Sequence, residues 1–267
     1  MPNARLDAPA REHDLSDSTT SSAPTAPAAA PKASIVIPVF NEEGLLQTAV
    51  HDLVVRLASE LPDVTYEVII TENGSSDKTL ELAYELERKY PGVVRVLHSP
   101  EPNYGKALRR GILEARGTYV LCDEIDLCDV GFHARALGLL EADQCDMVIG
   151  SKAHRDAQDQ RPVFRRAGTA VINGLFRVLL DFKGTDTHGL KGFHRERLLP
   201  VVSRCIEDKD LFASELVIRA ERDAYRIVEV PIVIAEKRPP SINLMKRVPR
   251  VLRGLAKLTW AIRVRGR

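Results

Sequence analysis

The chain predicts an α/β fold, a doubly wound and mostly parallel sheet flanked by helices. Three observations carry that expectation. Short, β-branched apolar runs alternate with amphipathic segments from residue 34 to about 150. Three of those runs stop abruptly in polar, carboxylate-rich turns. The length of 267 residues with 44% apolar content suits one large domain with tails.

Residues 1–32 are rich in Ala, Pro, Ser and Thr and nearly devoid of large apolar groups. Such a stretch buries too little surface to offset its ordering entropy, so it reads as a disordered tail. It also lacks the apolar h-region of a signal peptide. Order begins with a strand at 34–39 and a helix over about 43–60, with Leu45, Leu46, Ala49, Leu53 and Leu57 on one face. A strand at 66–71 precedes a helix near 76–90, for which Ser75 or Ser76 is a candidate cap and Asp77 suits the first turn. Next come a strand at 93–97, a helix near 105–116 and a strand at 118–122. A helix near 131–141 and a strand at 146–150 end the regular part.

Beyond residue 150 the pattern loosens. Lys152–Arg161 reads as a basic loop closed by Pro162, followed by a helix over 164–181. Gly184–Lys191 reads as a polar turn, and helices near 195–203 and 211–222 lead to a strand at 226–230. Residues 33–240 are thus expected to form the folded domain and 241–267 a basic C-terminal segment. Within that segment 242–264 patterns as an amphipathic helix that Pro249 and Gly254 weaken. Two placements stand for it: on an anionic membrane surface with Trp260 at the interface, or packed on the body as a final helix.

The net charge of +1 conceals an asymmetry. Residues 238–267 hold nine Lys/Arg and no Asp/Glu, which leaves 29 basic against 37 acidic residues elsewhere. Nucleic acid is not an expected partner, because the basic tail offers only Trp260 for base stacking. The four cysteines are widely spaced without a CxxC pair, which suits buried thiols in a reducing compartment. No apolar run approaches the ~18–20 residues of a membrane-spanning helix. The expected location is therefore the cytoplasm, including the inner face of the cytoplasmic membrane.

Five ordered segments carry chemistry. The first two are Pro38-Val-Phe-Asn41-Glu42 and Glu72-Asn-Gly74-Ser-Ser-Asp77, which follow the first two strands. Asn103-Tyr-Gly-Lys106-Ala-Leu-Arg109 opens a helix whose N-terminus suits an anion. Asp123-Glu124-Ile-Asp126 ends the fourth strand in three carboxylates, hard oxygen ligands for a divalent cation. The last segment is Thr185-Asp186-Thr-His188-Gly-Leu-Lys191, followed by Phe212-Ala-Ser-Glu215. Taken singly, each has an ordinary structural reading: a dipole-favoured acidic helix start, an Asn-Gly turn, a basic helix start, a solvated acidic loop, a turn histidine with a local hydrogen bond.

In this order the segments resemble the inverting family-2 glycosyltransferases with a GT-A fold, and most nearly their polyprenyl-phosphate sugar transferase branch. The resemblance covers roughly residues 33–240. It implies that Pro38, Asn41, Glu42, Glu72 and Gly74 hold the nucleoside of a UDP- or GDP-hexose, with Lys106 and Arg109 near its diphosphate. Glu124 and Asp126 fall on the family's Asp-x-Asp pattern and are the implied ligands of Mg2+ or Mn2+. Asp123 stands beside them as a further donor-site carboxylate, and His188 as a ligand to metal or phosphate. Asp126, Asp186 and Glu215 are the implied catalytic residues, the last two on the acceptor side.

The sequence departs from the family at Glu72-Asn73, at Glu124 and at Ala213, where relatives carry aspartates. An ionised phosphate acceptor needs little base assistance, so the loss at Ala213 suits polyprenyl phosphate. A soluble metabolite or glycan acceptor, or a non-catalytic nucleotide-sugar-binding protein, are the alternative readings. Lys152, Arg155, Arg161, Arg165 and Arg166 form a basic stretch suited to an anionic head group or to plain solvation.

Overall fold

The computed structural model describes residues 30–159, 163–234 and 244–264. Nearly all of the tail expected to be disordered, together with Arg161 and Pro162, lies outside them. The first half is built of β1 (Ala33–Val39), α1 (Leu46–Glu60), β2 (Tyr66–Asn73), α2 (Thr79–Lys89), β3 (Val94–Ser99), α3 (Tyr104–Glu114), β4 (Tyr119–Cys122), α4 (Val130–Glu141) and β5 (Met147–Ser151). The second half holds β6 (Gln158–Asp159), α5 (Val163–Leu180), β7 (Leu190–His194), α6 (Arg195–Arg204), α7 (Phe212–Arg222), β8 (Ile227–Pro231), β9 (Val233–Ile234) and α8 (Leu244–Arg263).

Seven strands form one sheet in the order β3-β2-β1-β4-β7-β5-β8. Only β7 runs antiparallel, against β4 on one side and β5 on the other. The short β6 and β9 pair separately. β1 is buried at all seven positions because helices cover both faces of the sheet, which is why it reads as a continuous apolar run. Alternate side chains feed opposite cores. Ile35, Ile37, Val68, Ile70 and Val148 point to one core, shared with α1, α2 and α4. Val36, Ile69, Met147 and Ile149 point to the other, shared with α3, α5, α6, α7 and α8. All four cysteines are free and buried.

Several elements differ from the sequence reading. α1 begins at Leu46 because residues 42–45 turn first, the Glu42 carbonyl accepting from Leu45 and Leu46 N–H. The α2 cap position falls on Lys78 rather than on either serine, while Asp77 accepts from Thr79 N–H at 3.0 Å. β7 lies partly in the stretch read as a polar turn. Its Lys191 and Gly192 break the apolar pattern, yet a side chain at Gly192 would meet Ala136 Cβ at 2.9 Å and Leu121 at 3.0 Å. α8 runs unbroken through Pro249 and Gly254 and packs on the body, with Leu255, Leu258 and Ile262 in the core. Among the described residues no helix is long and apolar enough to cross a membrane.

Candidate active site

The parallel strands β1, β2, β4 and β5 all deliver their carboxyl ends to one edge of the sheet, where ligands of such folds bind. Because β7 runs the other way, it brings its preceding loop, residues 185–189, to that same edge. The result is a cleft of about 450 Å³. Pro38, Phe40 and Glu42 line it after β1, Asn73 at the end of β2, Asp123, Glu124, Ile125 and Asp126 after β4, and Lys152 after β5. His188 enters from the loop before β7, and Pro102, Asn103 and Tyr104 from the start of α3. Lys209, Asp210 and Ala213 come from the α6–α7 connection and α7, and Arg250 from α8.

The structure therefore brings Pro38, Glu42, Asp123, Glu124, Asp126 and His188 together. The other residues named from sequence lie behind the lining or away from it. Asn41, at φ +56°, accepts from Ser76 N–H and donates its own N–H to the Ser75 hydroxyl, tying the first polar turn to the second. Gly74 holds φ +74°, and a Cβ there would meet the Pro100 carbonyl oxygen at 2.7 Å. Glu72 is buried, accepts from Ser75 N–H at 2.6 Å and lies 2.5 Å from His98 Nδ1. Burial pushes its carboxyl upward, but the Ser75 and His98 hydrogen bonds outweigh it, so the group sits below its ordinary range.

Lys106 and Arg109, expected near phosphate, are engaged elsewhere. The Lys106 ammonium meets Glu101 at 3.2 Å, and Arg109 donates to the Ser203 and Cys205 carbonyls. The cations that do line the cleft are Lys152, Lys209 and Arg250, the last paired with Asp210 at 3.1 Å. Asp186 is buried and accepts from the N–H groups of Lys152 (3.2 Å) and His188 (2.8 Å), so it shapes the loop beside the cleft. Glu215 is buried in α7. It accepts from Ile206 and Glu207 N–H and from Arg219 Nε at 2.6 Å, which fixes the loop before α7. The His188 ring lies 3.1 Å from the Thr187 hydroxyl and 3.3 Å from that of Ser214.

Sequence reasoning gave no role to Tyr104, although it lies inside the third segment, and passed over Lys209, Asp210 and Arg250, which carry no local motif and meet only through the tertiary fold. Asn73 had a signal, since it occupies a family aspartate position. Its amide donates to the Val39 carbonyl and accepts from Asn103 N–H, and the Asn103 side chain in turn caps α3 by accepting from Lys106 N–H.

The charges explain what the cleft suits. Burial raises the Glu124 carboxyl, Lys152 opposes that rise and Asp126 adds to it. Lys191 is buried behind them with its ammonium on the Gly189 carbonyl at 2.7 Å, and burial holds it below the ordinary lysine range. Among the described residues no three His, Cys, Asp or Glu side chains converge as a closed metal cage. Two carboxylates on one loop, with space in front, instead fit a hard cation that takes its remaining ligands from water and phosphate. Such a cation would relieve the repulsion that Asp126 exerts on Glu124.

Beside this cleft lies a second cavity of about 410 Å³, whose lining includes Lys152, His154, Arg166, Asn173, Arg177 and Thr185. Lys152 belongs to both cavities. An acidic, cation-ready cleft thus adjoins a basic one.

Comparison with known proteins agrees with this architecture. Residues 34–195 match the model of glycosyl transferase family 2, and the chain belongs to that family. It is similar to glycosyltransferase AglD of Haloferax volcanii, 29% identical over 246 residues, covering 91% of this chain and 39% of that protein. It is also similar to the human dolichyl-phosphate beta-glucosyltransferase, 32% identical over 218 residues, covering 74% of this chain and 66% of that protein. The chain thus spans less than two thirds of each relative. The fold matches crystalline glucosyl-3-phosphoglycerate synthase from Mycobacterium tuberculosis with a TM-score of 0.61 at 20% identity, covering 86% of this chain and 79% of that one. That structure contains Mn2+, UDP and glucosyl-3-phosphoglycerate.

Proposed function

We propose that the chain is a metal-dependent glycosyltransferase that moves a hexose from a UDP- or GDP-sugar to polyprenyl phosphate at the inner face of the cytoplasmic membrane. The observation that carries this reading is the junction at Lys152 between the Glu124–Asp126 cleft and the basic cavity. The first has the groups for a metal-bound diphosphate, and the second has the groups for a phosphate monoester acceptor. Relatives named for dolichyl phosphate support the acceptor class.

Glu124 and Asp126 would hold Mg2+ or Mn2+, which supplies electrostatic stabilisation to the departing diphosphate. Pro38, Glu42 and Asn73 line the part of the cleft left for the nucleoside. Lys152 faces both halves and screens the donor diphosphate from the acceptor phosphate. An acceptor phosphate oxygen attacks the anomeric carbon, the bond from that carbon to the diphosphate oxygen breaks, and UDP or GDP leaves with the electron pair. Inversion at that carbon follows from the family resemblance. The attacking oxygen is already ionised, so no general base is required. This agrees with Ala213 on the lining and with Asp186 and Glu215 both committed to backbone N–H groups.

The test is acceptor-dependent release of UDP or GDP from a panel of nucleotide hexoses. Polyprenyl phosphate should stimulate release from one donor, and free polyprenol should not. Equal stimulation by a soluble sugar hydroxyl would transfer the assignment to a soluble acceptor.

A further inference from the structure

α5 and α8 lie side by side, joined where Arg263 donates to the Leu179 carbonyl at 2.9 Å and pairs with Asp181 at 2.9 Å. Each is buried on one face only: Phe176 and Leu180 of α5, and Leu255, Leu258, Ala261 and Ile262 of α8, enter the body. Their outward faces mix large apolar and basic side chains. Of twelve large hydrophobic side chains exposed among the described residues, seven belong to these two helices and the residue after α8. Val163, Val171 and Val178 lie within one broad face of α5, and Val178 is 77% exposed. Val248, Leu252, Trp260 and Val264 recur at multiples of four along α8, with Ala256 filling the gap.

The charge pattern selects the occupant. The 18 residues of α5 and the 20 of α8 contain nine Lys/Arg and no Asp/Glu, and three of the nine, Arg250, Lys257 and Arg263, pair with Asp210, Glu207 and Asp181 of the body, so the two helices carry an excess of positive charge. A second copy of the chain on this face would bring two such cationic surfaces together. An anionic lipid leaflet instead offers hydrocarbon to the valines, Leu252 and Trp260 and head groups to the arginines. The basic cavity is walled by α5 itself, through Arg166, Asn173 and Arg177, on a side of the helix next to the valine-bearing face, so a leaflet docked on α5 would lie beside it.

We propose that the paired outer faces of α5 and α8 form a single docking surface for an anionic bilayer leaflet, which presents the basic cavity to lipid-borne phosphate. This deepens the polyprenyl-phosphate reading and rests on it.

Co-sedimentation of the full chain with vesicles of phosphatidylcholine, with and without phosphatidylglycerol, tests it. The comparison uses two double variants, Val171→Glu with Val178→Glu and Leu252→Glu with Trp260→Glu. The native chain should bind the anionic vesicles, more weakly as salt rises, and each variant should lose at least about tenfold in binding. Both variants should keep transfer to a water-soluble, short-chain isoprenyl phosphate while losing transfer to long-chain polyprenyl phosphate in vesicles. Unchanged vesicle binding in both variants would overturn the docking surface. So would a native dimer in sedimentation equilibrium that the variants abolish without native vesicle binding. Failure of the native chain to transfer to either acceptor would instead refute the functional reading, and would leave the vesicle result to stand as evidence on the surface alone.

Discussion

Asp123 and His133 lie 2.7 Å apart with both side chains wholly buried, beneath the loop that presents Glu124 and Asp126. The contact is not aligned as a hydrogen bond from the ring, and the carboxylate spends its lone pairs on the loop itself. It accepts from Glu124 N–H at 2.6 Å and Asp129 N–H at 3.1 Å, pinning both ends of the turn. Asp129 in turn caps α4 through Phe132 N–H. Asp123→Ala should therefore cost about 2 kcal/mol of stability by stranding buried donors. It should also weaken Mn2+ binding, measured by calorimetry, more than Asp123→Asn, which keeps one acceptor oxygen.

Gly105 places the start of α3 against the roof of the cleft. A Cβ there would lie 2.4 Å from the Lys209 carbonyl oxygen, and backbone cannot yield as a flexible side chain does. Gly105→Ala should displace residues 208–210, and with them the Asp210–Arg250 pair. Arg250→Gln removes a lining cation directly, and a loss of about tenfold in donor affinity is expected from one charge-assisted contact. Both variants should raise the donor KM with less effect on kcat, as steady-state kinetics would show.

Glu215 has the geometry of a brace. Glu215→Gln would leave Arg219 buried without its partner charge and weaken the hold on Ile206 and Glu207 N–H. The expected result is a loss of about 3 kcal/mol in denaturant unfolding, with kcat per folded molecule within severalfold of native. A collapse of kcat at unchanged stability would restore Glu215 to a chemical role.

Far from the cleft, Asp146 joins β5 to α6 and β8 by accepting from Arg226 and Arg197. The Arg226 hydrogen bond, followed in weight by opposing burial and then by the Arg226 backbone and Arg197, holds its carboxyl well below the ordinary 3.8. A depressed folded-state pKa stabilises fully above the unfolded value and loses that contribution as pH falls below it. Asp146→Asn should lower the melting temperature at pH 7. The gap to native should narrow as pH falls below about 4, where the native chain loses the same interaction.

Much of this was legible in the chain because the sheet is central. Strands buried on both faces, such as β1 and β2, must be continuous apolar runs, and their ends must turn polar to meet solvent. β7 escaped because a buried lysine and a close-packed glycine replace the apolar pattern there, for reasons lying on neighbouring elements. The cleft divides in the same way. Glu124 and Asp126 are neighbours in sequence and could be read together, whereas Lys209, Asp210 and Arg250 meet only once α8 packs on the body. Lys106 and Arg109 were legible as cations near a helix start, but Lys106 turns to the neighbouring Glu101, and the Ser203 and Cys205 carbonyls that engage Arg109 are brought up only by tertiary contacts.

The most direct measurement is transfer of labelled sugar into organic solvent. The native chain and Asp126→Asn are incubated with Mg2+ or Mn2+, labelled UDP- and GDP-hexoses and polyprenyl phosphate, then partitioned. Label should enter the organic phase from one donor, only with metal and lipid phosphate present, and Asp126→Asn should abolish transfer while melting as a folded protein. Label that stays in water across every donor, or undiminished transfer by Asp126→Asn, would contradict the account.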